Sequence, residues 1–420
     1  MSYTGIDDLQ LNVTKQKPFF DALAKKGVVK ALGFLKIGRL IIEDGGQVSS
    51  YGQSSKETDL VANISIHAPS VYRDVLFRGT IGAGESYMLG HWTTPDLLKV
   101  IRVLVLNMQV VEQLDNNTSV VNKVSHALLH LSNLNTKQGS KKNISAHYDL
   151  GNDFFELILD KSMMYSGAIY PKNDSTLEVA AEHKLEHICQ KLRLTSSDHL
   201  LEIGTGWGGM AIYAAKHYGC KVTTTTISKE QYEYAKVRVQ QEGLADKVEL
   251  LLEDYRDLSG KFDKIVSIEM IEAVGHKFYE NYFSKCSRLL KESGLMVIQA
   301  ITIPDQRYQQ AKNSIDFIQK YIFPGGCLPS NSIIAKHIAE DTNMQIVGLE
   351  DITLHYAKTL KEWRKRFFQH IDSVVSQGFD NRFIRMWEFY LCYCEGGFQE
   401  RVIGTSQFVF AKPKANLCDF

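Results

Sequence analysis

A cluster of glycines follows a short apolar segment that carries one acidic residue, Glu202. The segment His199–Ile203 is typical of a buried strand, and residues 210–215 favour a helix. The turn between them contains Gly204, Gly206, Gly208 and Gly209. Because glycine has no Cβ, a ligand can approach this backbone closely, and the first N–H groups of the next helix are free to bind it. The stretch therefore predicts a site for a nucleotide-like ligand.

Two kinds of cofactor-binding turn fit these glycines, and the position of the acidic residue separates them. The dinucleotide pattern G-x-G-x-x-G requires an Asp or Glu about 20 residues later, at the end of the next strand. That strand, residues 221–226, ends in threonine, and Gln231 follows it. The acid precedes the glycines instead, where Glu202 can receive a cationic amine. The order Glu-x-Gly-x-Gly-x-Gly resembles the motif of Rossmann-like S-adenosylmethionine-dependent methyltransferases.

Composition bounds the class of protein and its partners. The chain has 420 residues, enough for two or three domains, and 48 basic residues balance 48 acidic ones. Balanced charge provides no global field for nucleic acid, so no nucleic-acid partner is expected. Seven scattered cysteines without a C-x-x-C pair favour reduced thiols, and no metal site is expected. The polar start, with Asp7 and Asp8, is unlike a signal peptide and predicts a cytoplasmic protein.

Membrane contact is expected to be peripheral. The longest apolar run, residues 100–111, is interrupted by Arg102 and Asn107 and is shorter than the roughly 18 residues that cross a bilayer. Residues 18–38 form an amphipathic helical pattern with interleaved lysines. That face either stays solvated on a packed helix or makes transient contact with anionic lipid at the inner face of the membrane. A homodimer is an assembly that the sequence leaves open.

Residues 1–115 predict a smaller N-terminal α+β domain, associated with lipid or the membrane. Three segments, 39–44, 47–53 and 60–67, have strand patterns, and residues 71–78 have a helical one. The phrase at 82–92 is too rich in glycine for regular structure. Residues 116–142, rich in Asn, Ser, Thr and Lys around a helical piece at 120–134, are the expected connecting segment.

Residues 143–420 alternate between strand and helix patterns, as in a doubly wound sheet. The expected strands are 199–203, 221–226, 248–252, 264–268, 295–300, 345–353 and 407–411. The last two suit an antiparallel edge, and the aromatic helical residues 360–401 predict a cap over the cofactor crevice. The expected fold class is α/β, a Rossmann-like class I methyltransferase sheet with a helical cap, plus the smaller N-terminal α+β domain.

Several phrases outside the glycine turn carry a more specific resemblance. They are GAGESYMLGHW at 82–92, HYDLGNDFF at 147–155, MYSGA at 164–168, DYRD at 254–257, EMIEAVG at 269–275 and YIFPGGCLP at 321–329. Together they resemble the cyclopropane-fatty-acyl-phospholipid synthase family, in order and over residues 60–411. The resemblance implies methyl transfer from S-adenosylmethionine to the cis double bond of an unsaturated phospholipid acyl chain, forming a cyclopropane ring.

The same resemblance implies which residues bind the cofactor. They are Tyr165, Ser166, Glu202, Gly204, Gly206, Gly208, Thr226, Gln231, Asp254, Tyr255 and Arg256. Thr226 and Gln231 offer neutral partners for ribose hydroxyls, and Tyr255 offers a flat surface for adenine.

The base that removes a proton after methyl transfer is also implied by the resemblance. The resemblance implies that this base is a bound bicarbonate ion, held by a Glu, a His, a Tyr, a Cys and backbone groups. Glu272, Tyr356 and the backbone of Ile301 match three of these partners, whereas Gly167 replaces the Cys and Gln299 replaces the His. The glycine is expected to enlarge the pocket, and the amide cannot carry the positive charge of an imidazolium.

These two departures leave alternatives open. The additional carboxylate Glu269 is a second candidate for the base, unless it faces away from the pocket. A cation that loses a different proton gives a methyl-branched or methylene chain instead of a ring. A nicotinamide-dependent oxidoreductase and a non-catalytic lipid-binding protein are alternatives from other functional classes.

Overall fold

The computed structural model describes residues 18–53, 59–110, 135–137, 139–140 and 150–417. Contacts divide the chain into two compact units. The first contains Met1–Leu131, Ile315–Ile322 and Leu360–Val402, and the second contains Ser132–Ser314, Phe323–Thr359 and Ile403–Phe420. The helical piece expected at 120–134 and the start of the phrase at 147–155 lie outside the described residues.

Helices begin where short polar side chains can cap them. Asp96, Thr176, Ser228 and Asp380 each accept a hydrogen bond from a backbone N–H in the first turn of the helix that follows. The described helices are α1 Pro18–Leu32, α2 Ser70–Met88, α3 Leu97–Leu106, α4 Asn152–Glu156, α5 Leu177–Leu192, α6 Gly209–His217, α7 Lys229–Gln241, α8 Ile271–Val274, α9 Tyr279–Leu289, α10 Asp305–Ala311, α11 Phe317–Tyr321, α12 Asn331–Asp341, α13 Thr353–Gln369, α14 Ile371–Ser376 and α15 Asn381–Gln399.

The first unit contains a four-stranded sheet in the order β2-β1-β3-β4. β1 pairs antiparallel with β2 and parallel with β3. The strands are β1 Gly38–Asp44, β2 Gln47–Gln53, β3 Val61–Ile66 and β4 Trp92–Thr93. The three strand segments expected here are confirmed with nearly the same ends, and the helix expected at residues 18–38 is confirmed but ends at Leu32. No helix among the described residues is long and apolar enough to cross a membrane.

The glycine-rich phrase at 82–92 was expected to be irregular, and this expectation is wrong for its first half. Gly82 and Gly84 lie within α2, which is kinked at Gly79. A Cβ on Gly82 would lie 2.0 Å from the carbonyl oxygen of Asp74, and one on Gly84 would lie 2.6 Å from the Phe317 ring. These glycines permit close packing inside the first unit, and this outweighs their low helix propensity.

The second unit is built around a seven-stranded sheet in the order β10-β11-β9-β8-β5-β6-β7. The strands from β9 to β7 are parallel to one another, and β11 is antiparallel to both of its neighbours. The strands are β5 His199–Ile203, β6 Lys221–Thr225, β7 Val248–Leu251, β8 Phe262–Ile268, β9 Leu290–Thr302, β10 Gln345–Asp351 and β11 Gly404–Ala411. All seven expected strands and the antiparallel edge are therefore confirmed.

Both faces of this sheet are buried. Successive residues Leu200 and Leu201 belong to two different apolar clusters, one on each face, because side chains alternate along a strand. The division of the chain differs from the expected boundaries in two segments. Residues Ile315–Ile322, expected in the second domain, belong to the first unit. Residues Leu360–Val402, expected to continue the second domain as its cap, belong to the first unit.

Candidate active site

The glycine turn joins the carboxyl end of β5 to α6. Gly204, Gly206 and Gly208 all have positive φ, and a Cβ on Gly206 would meet no atom of the described residues within 4 Å. Backbone N–H groups of Gly204 and Thr205 donate to the carbonyl oxygen of Thr225, which fixes the turn to β6. The turn leaves open space beside its backbone, as a closely approaching ligand requires.

Glu202 lies directly below this turn and is 2% exposed. Its Oε2 accepts a hydrogen bond of 2.6 Å from the hydroxyl of Thr224 on β6. Burial raises the pKa of the Glu202 carboxyl to about 8, although the bond from Thr224 opposes the shift. A cation placed beside the carboxyl would favour its ionised form.

The polar residues expected to hold the ribose lie together after β6. The Thr226 hydroxyl donates to Gln231 Oε1 at 3.1 Å, and both side chains are buried. Asp254 and Arg256 form a bidentate ion pair with N–O distances of 2.8 and 2.7 Å. Burial would raise the pKa of Asp254, but the ion pair outweighs it and the pKa is lowered. Tyr255 packs edge-on against another ring, that of Tyr282.

Tyr165 is connected to the glycine turn through aromatic contacts, whereas Ser166 bonds to a buried lysine on α5. Tyr165 packs on Phe155, which in turn packs on Trp207 of the glycine turn, with ring centroids 5.1 and 5.0 Å apart. The Ser166 hydroxyl accepts a 2.6 Å hydrogen bond from Lys184, a lysine with 0% exposure on α5. Burial lowers the pKa of Lys184 to about 8, although the negative charges of Glu269 and Asp160 oppose this shift.

Glu269 follows β8 and its side chain points into the site, not away from it. The residue has φ of 50°, a left-handed conformation uncommon for residues other than glycine. Its Oε1 accepts hydrogen bonds from the backbone N–H of Gly167 at 2.9 Å and from Gln299 Nε2 at 2.7 Å. Its Oε2 accepts a bond of 2.7 Å from the hydroxyl of Tyr356. Three donors thus converge on one carboxylate.

The pocket beside Gly167 is not enlarged, contrary to expectation. A Cβ on Gly167 would lie 2.9 Å from the ring of Tyr356, so the tyrosine occupies the space that a cysteine side chain would need. Gln299 is fully buried and donates both to Glu269 and to the carbonyl oxygen of Gly167, the latter at 2.9 Å. The two departures from the family pattern therefore accommodate the ring of Tyr356 and the carboxylate of Glu269.

Glu272, on the short helix α8, lies close to the same site. Its Oε1 accepts from the backbone N–H of Ile301, while its Oε2 is buried and has no hydrogen-bond partner among the described residues. Burial, and secondarily the like charge of Glu269, raise the pKa of Glu272 to about 8. Burial also raises the pKa of Glu269, but its hydrogen bonds and the charge of Lys184 oppose that shift.

The donors of this site do not fit a bound bicarbonate ion. Gly167, Gln299 and Tyr356, which would hold such an anion, all donate to Glu269, and the N–H of Ile301 donates to Glu272. A second anion would also be repelled by the carboxylate already in place. The carboxylate of Glu269 therefore lies where the resemblance implied a diffusible anion.

The cofactor turn and the carboxylate site are adjacent. A Cβ on Gly204 would lie 3.4 Å from Met270, the residue after Glu269. Three residues of the site were not predicted from the sequence: Lys184, Gln407 and Arg238. Arg238 supports the glycine turn, since it donates to the carbonyl oxygen of Trp207 at 2.8 Å. Lys184 had a visible signal, since it is a charged residue on the apolar face of a helical pattern.

The mostly parallel sheet, the antiparallel strand β11 and the glycine turn after β5 define an S-adenosylmethionine-dependent class I methyltransferase. Comparison with known proteins makes this more specific. The chain belongs to the mycolic acid cyclopropane synthetase family, whose model matches residues 135–408. It is a methyltransferase that uses S-adenosylmethionine and acts on lipids.

Three relatives illustrate the similarity. The chain is 37% identical over 358 residues to tuberculostearic acid methyltransferase of Mycobacterium tuberculosis, covering 83% of both chains. It is 38% identical over 356 residues to cyclopropane-fatty-acyl-phospholipid synthase of Escherichia coli, covering 84% of this chain and 89% of the relative. A mycolic acid cyclopropane synthase solved with SAH and CTAB is 29% identical, with a TM-score of 0.61 over 65% of this chain and 98% of the other.

Proposed function

We propose that this methyltransferase adds the methyl group of S-adenosylmethionine to the cis double bond of an unsaturated phospholipid acyl chain and closes a cyclopropane ring. The observation that carries the proposal is the buried carboxylate of Glu269, held by three donors next to the cofactor turn. When bound, the cofactor supplies an electrophilic methyl group on a sulfonium. Attack by the double bond leaves positive charge on an acyl carbon, so the site needs a base.

Glu269 is suited to accept the proton. A C–H bond next to a carbocation is strongly acidic, so even a weak base suffices if it is ionised and correctly placed. Hydrogen bonds from Gly167, Gln299 and Tyr356 stabilise the ionised carboxylate and reduce its tendency to add to the cation. In ring closure, the C–H bond of the transferred methyl group breaks, its electron pair forms the new carbon–carbon bond, and Glu269 takes the proton.

A methyl-branched alkene is the second candidate, and the replaced base allows it. The base is a fixed carboxylate rather than a diffusible anion, so it removes whichever proton lies nearest to it. If the carbon between the methyl group and the cation loses its proton, the electron pair forms a double bond and no ring closes. A relative 37% identical to this chain is named a methyltransferase rather than a synthase.

Mass spectrometry of the products tests the proposal. Vesicles of cis-unsaturated phosphatidylglycerol are incubated with the enzyme and S-adenosylmethionine, and the acyl chains should gain the mass of one CH2 group. The ring and the methyl-branched alkene have equal mass, so ozonolysis, which cleaves an alkene but not the ring, distinguishes them. Glu269→Gln protein prepared in parallel should give almost no product. Unchanged acyl chains after incubation with folded wild-type enzyme would refute the proposal.

Contact with the membrane surface is proposed for the first unit, through a surface that we call the α1 face. It consists of exposed apolar side chains next to exposed lysines, namely Phe19, Phe20, Leu23, Phe34, Lys26, Lys30 and Lys36. Phe19 is 76% exposed, which is unusual for a side chain of its size. Lys25 has a structural role instead, since its ammonium bonds to Asp44 at 2.6 Å.

A further inference from the structure

A series of hydrogen bonds connects Glu269 to Lys191 on α5 through two buried glutamines. Lys191 Nζ, on α5, donates to Gln407 Oε1 at 2.6 Å. Gln407 Nε2 donates to Gln299 Oε1 at 2.8 Å, and Gln299 Nε2 donates to Glu269 Oε1 at 2.7 Å. Both glutamines have 0% exposure and are direct partners in the pairing of β11 with β9.

Lys191 determines which way the two glutamine amides face in this series of hydrogen bonds. A side-chain amide can be turned over, which exchanges its donor and its acceptor, so two paired glutamines alone have two possible orientations. An ammonium group donates only, and Lys191 therefore requires the oxygen of Gln407 to face it. The amide nitrogen of Gln407 then meets the oxygen of Gln299. The nitrogen of Gln299 is left to face Glu269.

The reverse orientation would place acceptors against acceptors. The oxygen of Gln299 would then lie against the carboxylate of Glu269 and also against the carbonyl oxygen of Gly167, which now accepts a bond of 2.9 Å from Gln299. Buried polar atoms without complementary partners are costly, and the carboxylate would lose one of its three donors. The orientation of Gln299 thus decides how strongly the ionised form of Glu269 is stabilised.

We propose that Lys191 and Gln407 are positioning residues that hold the base ionised by fixing the orientation of the Gln299 amide. This inference rests on the proposed function, in which Glu269 accepts the proton. Neither residue touches the carboxylate, and both act on it through Gln299. A cation on α5 thereby controls the proton affinity of a group that lies beyond two buried amides.

Other titratable groups lie near the two ends of this hydrogen-bond series. At Glu269 they are Lys184 from α5, Glu272 from α8 and the hydroxyl of Tyr356 from α13. At Lys191 it is Glu350 from β10, which also binds His187 at 2.7 Å. Substitutions of Lys191 or Gln407 leave the first three groups in place, so a change in the titration of Glu269 reports on the amide chain.

Two substitutions break the chain in different ways. Lys191→Met removes the donor that orients Gln407. Gln407→Glu keeps the size and the contact with Lys191, but a carboxylate can only accept, so Gln299 must turn its nitrogen away from Glu269. Since Glu269 works as a carboxylate, each variant should shift the acidic limb of the pH–rate profile upward by about one pH unit. At pH values on the acidic side of the profile, the rate of each variant should be about tenfold lower than that of the wild type. The rate should recover at higher pH.

Controls separate positioning from a structural effect. Lys191→Arg keeps a donor and should restore the wild-type profile, and Lys216→Met, which removes a lysine from an exposed ion pair with Glu242 on the same unit, should not change it. Infrared difference spectroscopy titrates Glu269 without turnover, using the protonated-carboxyl band that Glu269→Gln abolishes. That titration should shift upward in both variants even if the lipid product differs from the one proposed. An unchanged titration of Glu269 in folded Lys191→Met and Gln407→Glu proteins would overturn the inference.

Discussion

Two carboxylates three residues apart, Glu269 and Glu272, differ in what surrounds them. Burial raises the pKa of Glu269, but three hydrogen bonds and the nearby ammonium of Lys184 oppose this shift and favour the ionised form. In the part of the chain that the structure describes, one oxygen of Glu272 has no hydrogen-bond partner, and burial raises the pKa of Glu272 to about 8, so near pH 7 it is mostly protonated. The matching motif alone pointed first to Glu272, whereas the geometry favours Glu269 as the base.

Glutamine substitutions should separate the two roles. Glu269→Gln should lower turnover by at least about a hundredfold, the usual contribution of a general base. Glu272→Gln mimics the protonated carboxyl and should retain more than about a tenth of the activity at pH 7. Turnover on vesicles in bicarbonate-free buffer measures both, and the wild type should not respond to added bicarbonate. Equal losses in the two variants, or stimulation of the wild type by bicarbonate, would contradict this assignment.

Because the Glu202 carboxyl is buried, we expect cofactor binding to release a proton from it. Without a ligand its pKa is about 8, raised by burial, so near pH 7 it is mostly protonated. A cationic amine at this carboxyl would lower that pKa, so binding should release a proton and affinity should rise with pH between the two pKa values. Calorimetry with S-adenosylmethionine in buffers of different ionisation enthalpy counts the protons. A wild-type protein that releases no more protons than Glu202→Gln would contradict this placement.

At the scale of the element, α2 shows a glycine used for packing. A Cβ on Gly84 would lie 2.6 Å from the ring of Phe317 and 3.1 Å from that of Phe389. Gly84→Ala should destabilise the protein by about 1–2 kcal/mol, because overpacking outweighs the gain in helix propensity. Thermal unfolding measures the loss, and adding Phe317→Leu should recover part of it. A Gly84→Ala protein with a higher melting temperature would show that the ring moves without cost.

The α1 face predicts salt-sensitive adsorption to anionic vesicles. Each basic residue near such a surface contributes about 1 kcal/mol, and salt screens this attraction. Replacing Lys26, Lys30 and Lys36 by Glu should abolish sedimentation with vesicles at low salt and lower the activity on them. The matched control reverses three exposed lysines of the second unit, Lys221, Lys229 and Lys236, and should have little effect. Equal losses in both sets would mean that total charge, not the α1 face, governs adsorption.

Local patterns predicted the second unit well because each strand is a short apolar run between turn residues. The sheet strands and the glycine turn follow from periodicity and from the conformational freedom of glycine. Contacts between distant segments were not predictable in this way. Gly82 and Gly84 look like helix breakers until Asp74 and Phe317 are placed against them. The role of Gln407 likewise depends on the register that sets it opposite Gln299.

The same limit applies to the whole molecule. A linear boundary at residue 143 assigns residues 360–401 to the methyltransferase domain, since the sequence continues without a break. Their long-range contacts assign them to the first unit. Arg385 on α15 is fully buried, and it donates to the carbonyl oxygens of Tyr87 at 2.5 Å and Trp92 at 2.9 Å. The hydroxyl of Tyr87 in turn donates to Glu388 at 2.7 Å.

A fragment of residues 143–420 should therefore fail to form a stable domain. Without residues 1–131, the guanidinium of Arg385 loses these two carbonyl acceptors, and each lost hydrogen bond to a buried charge costs about 1.5–3 kcal/mol. The helix α15 also loses Ile101, whose side chain packs against Gly396. We expect the fragment to aggregate or to unfold without a cooperative transition, and co-expression with residues 1–131 should restore solubility. Gel filtration and calorimetry test this, and a monomeric fragment that melts as cooperatively as the full chain would show that the first unit is dispensable for folding.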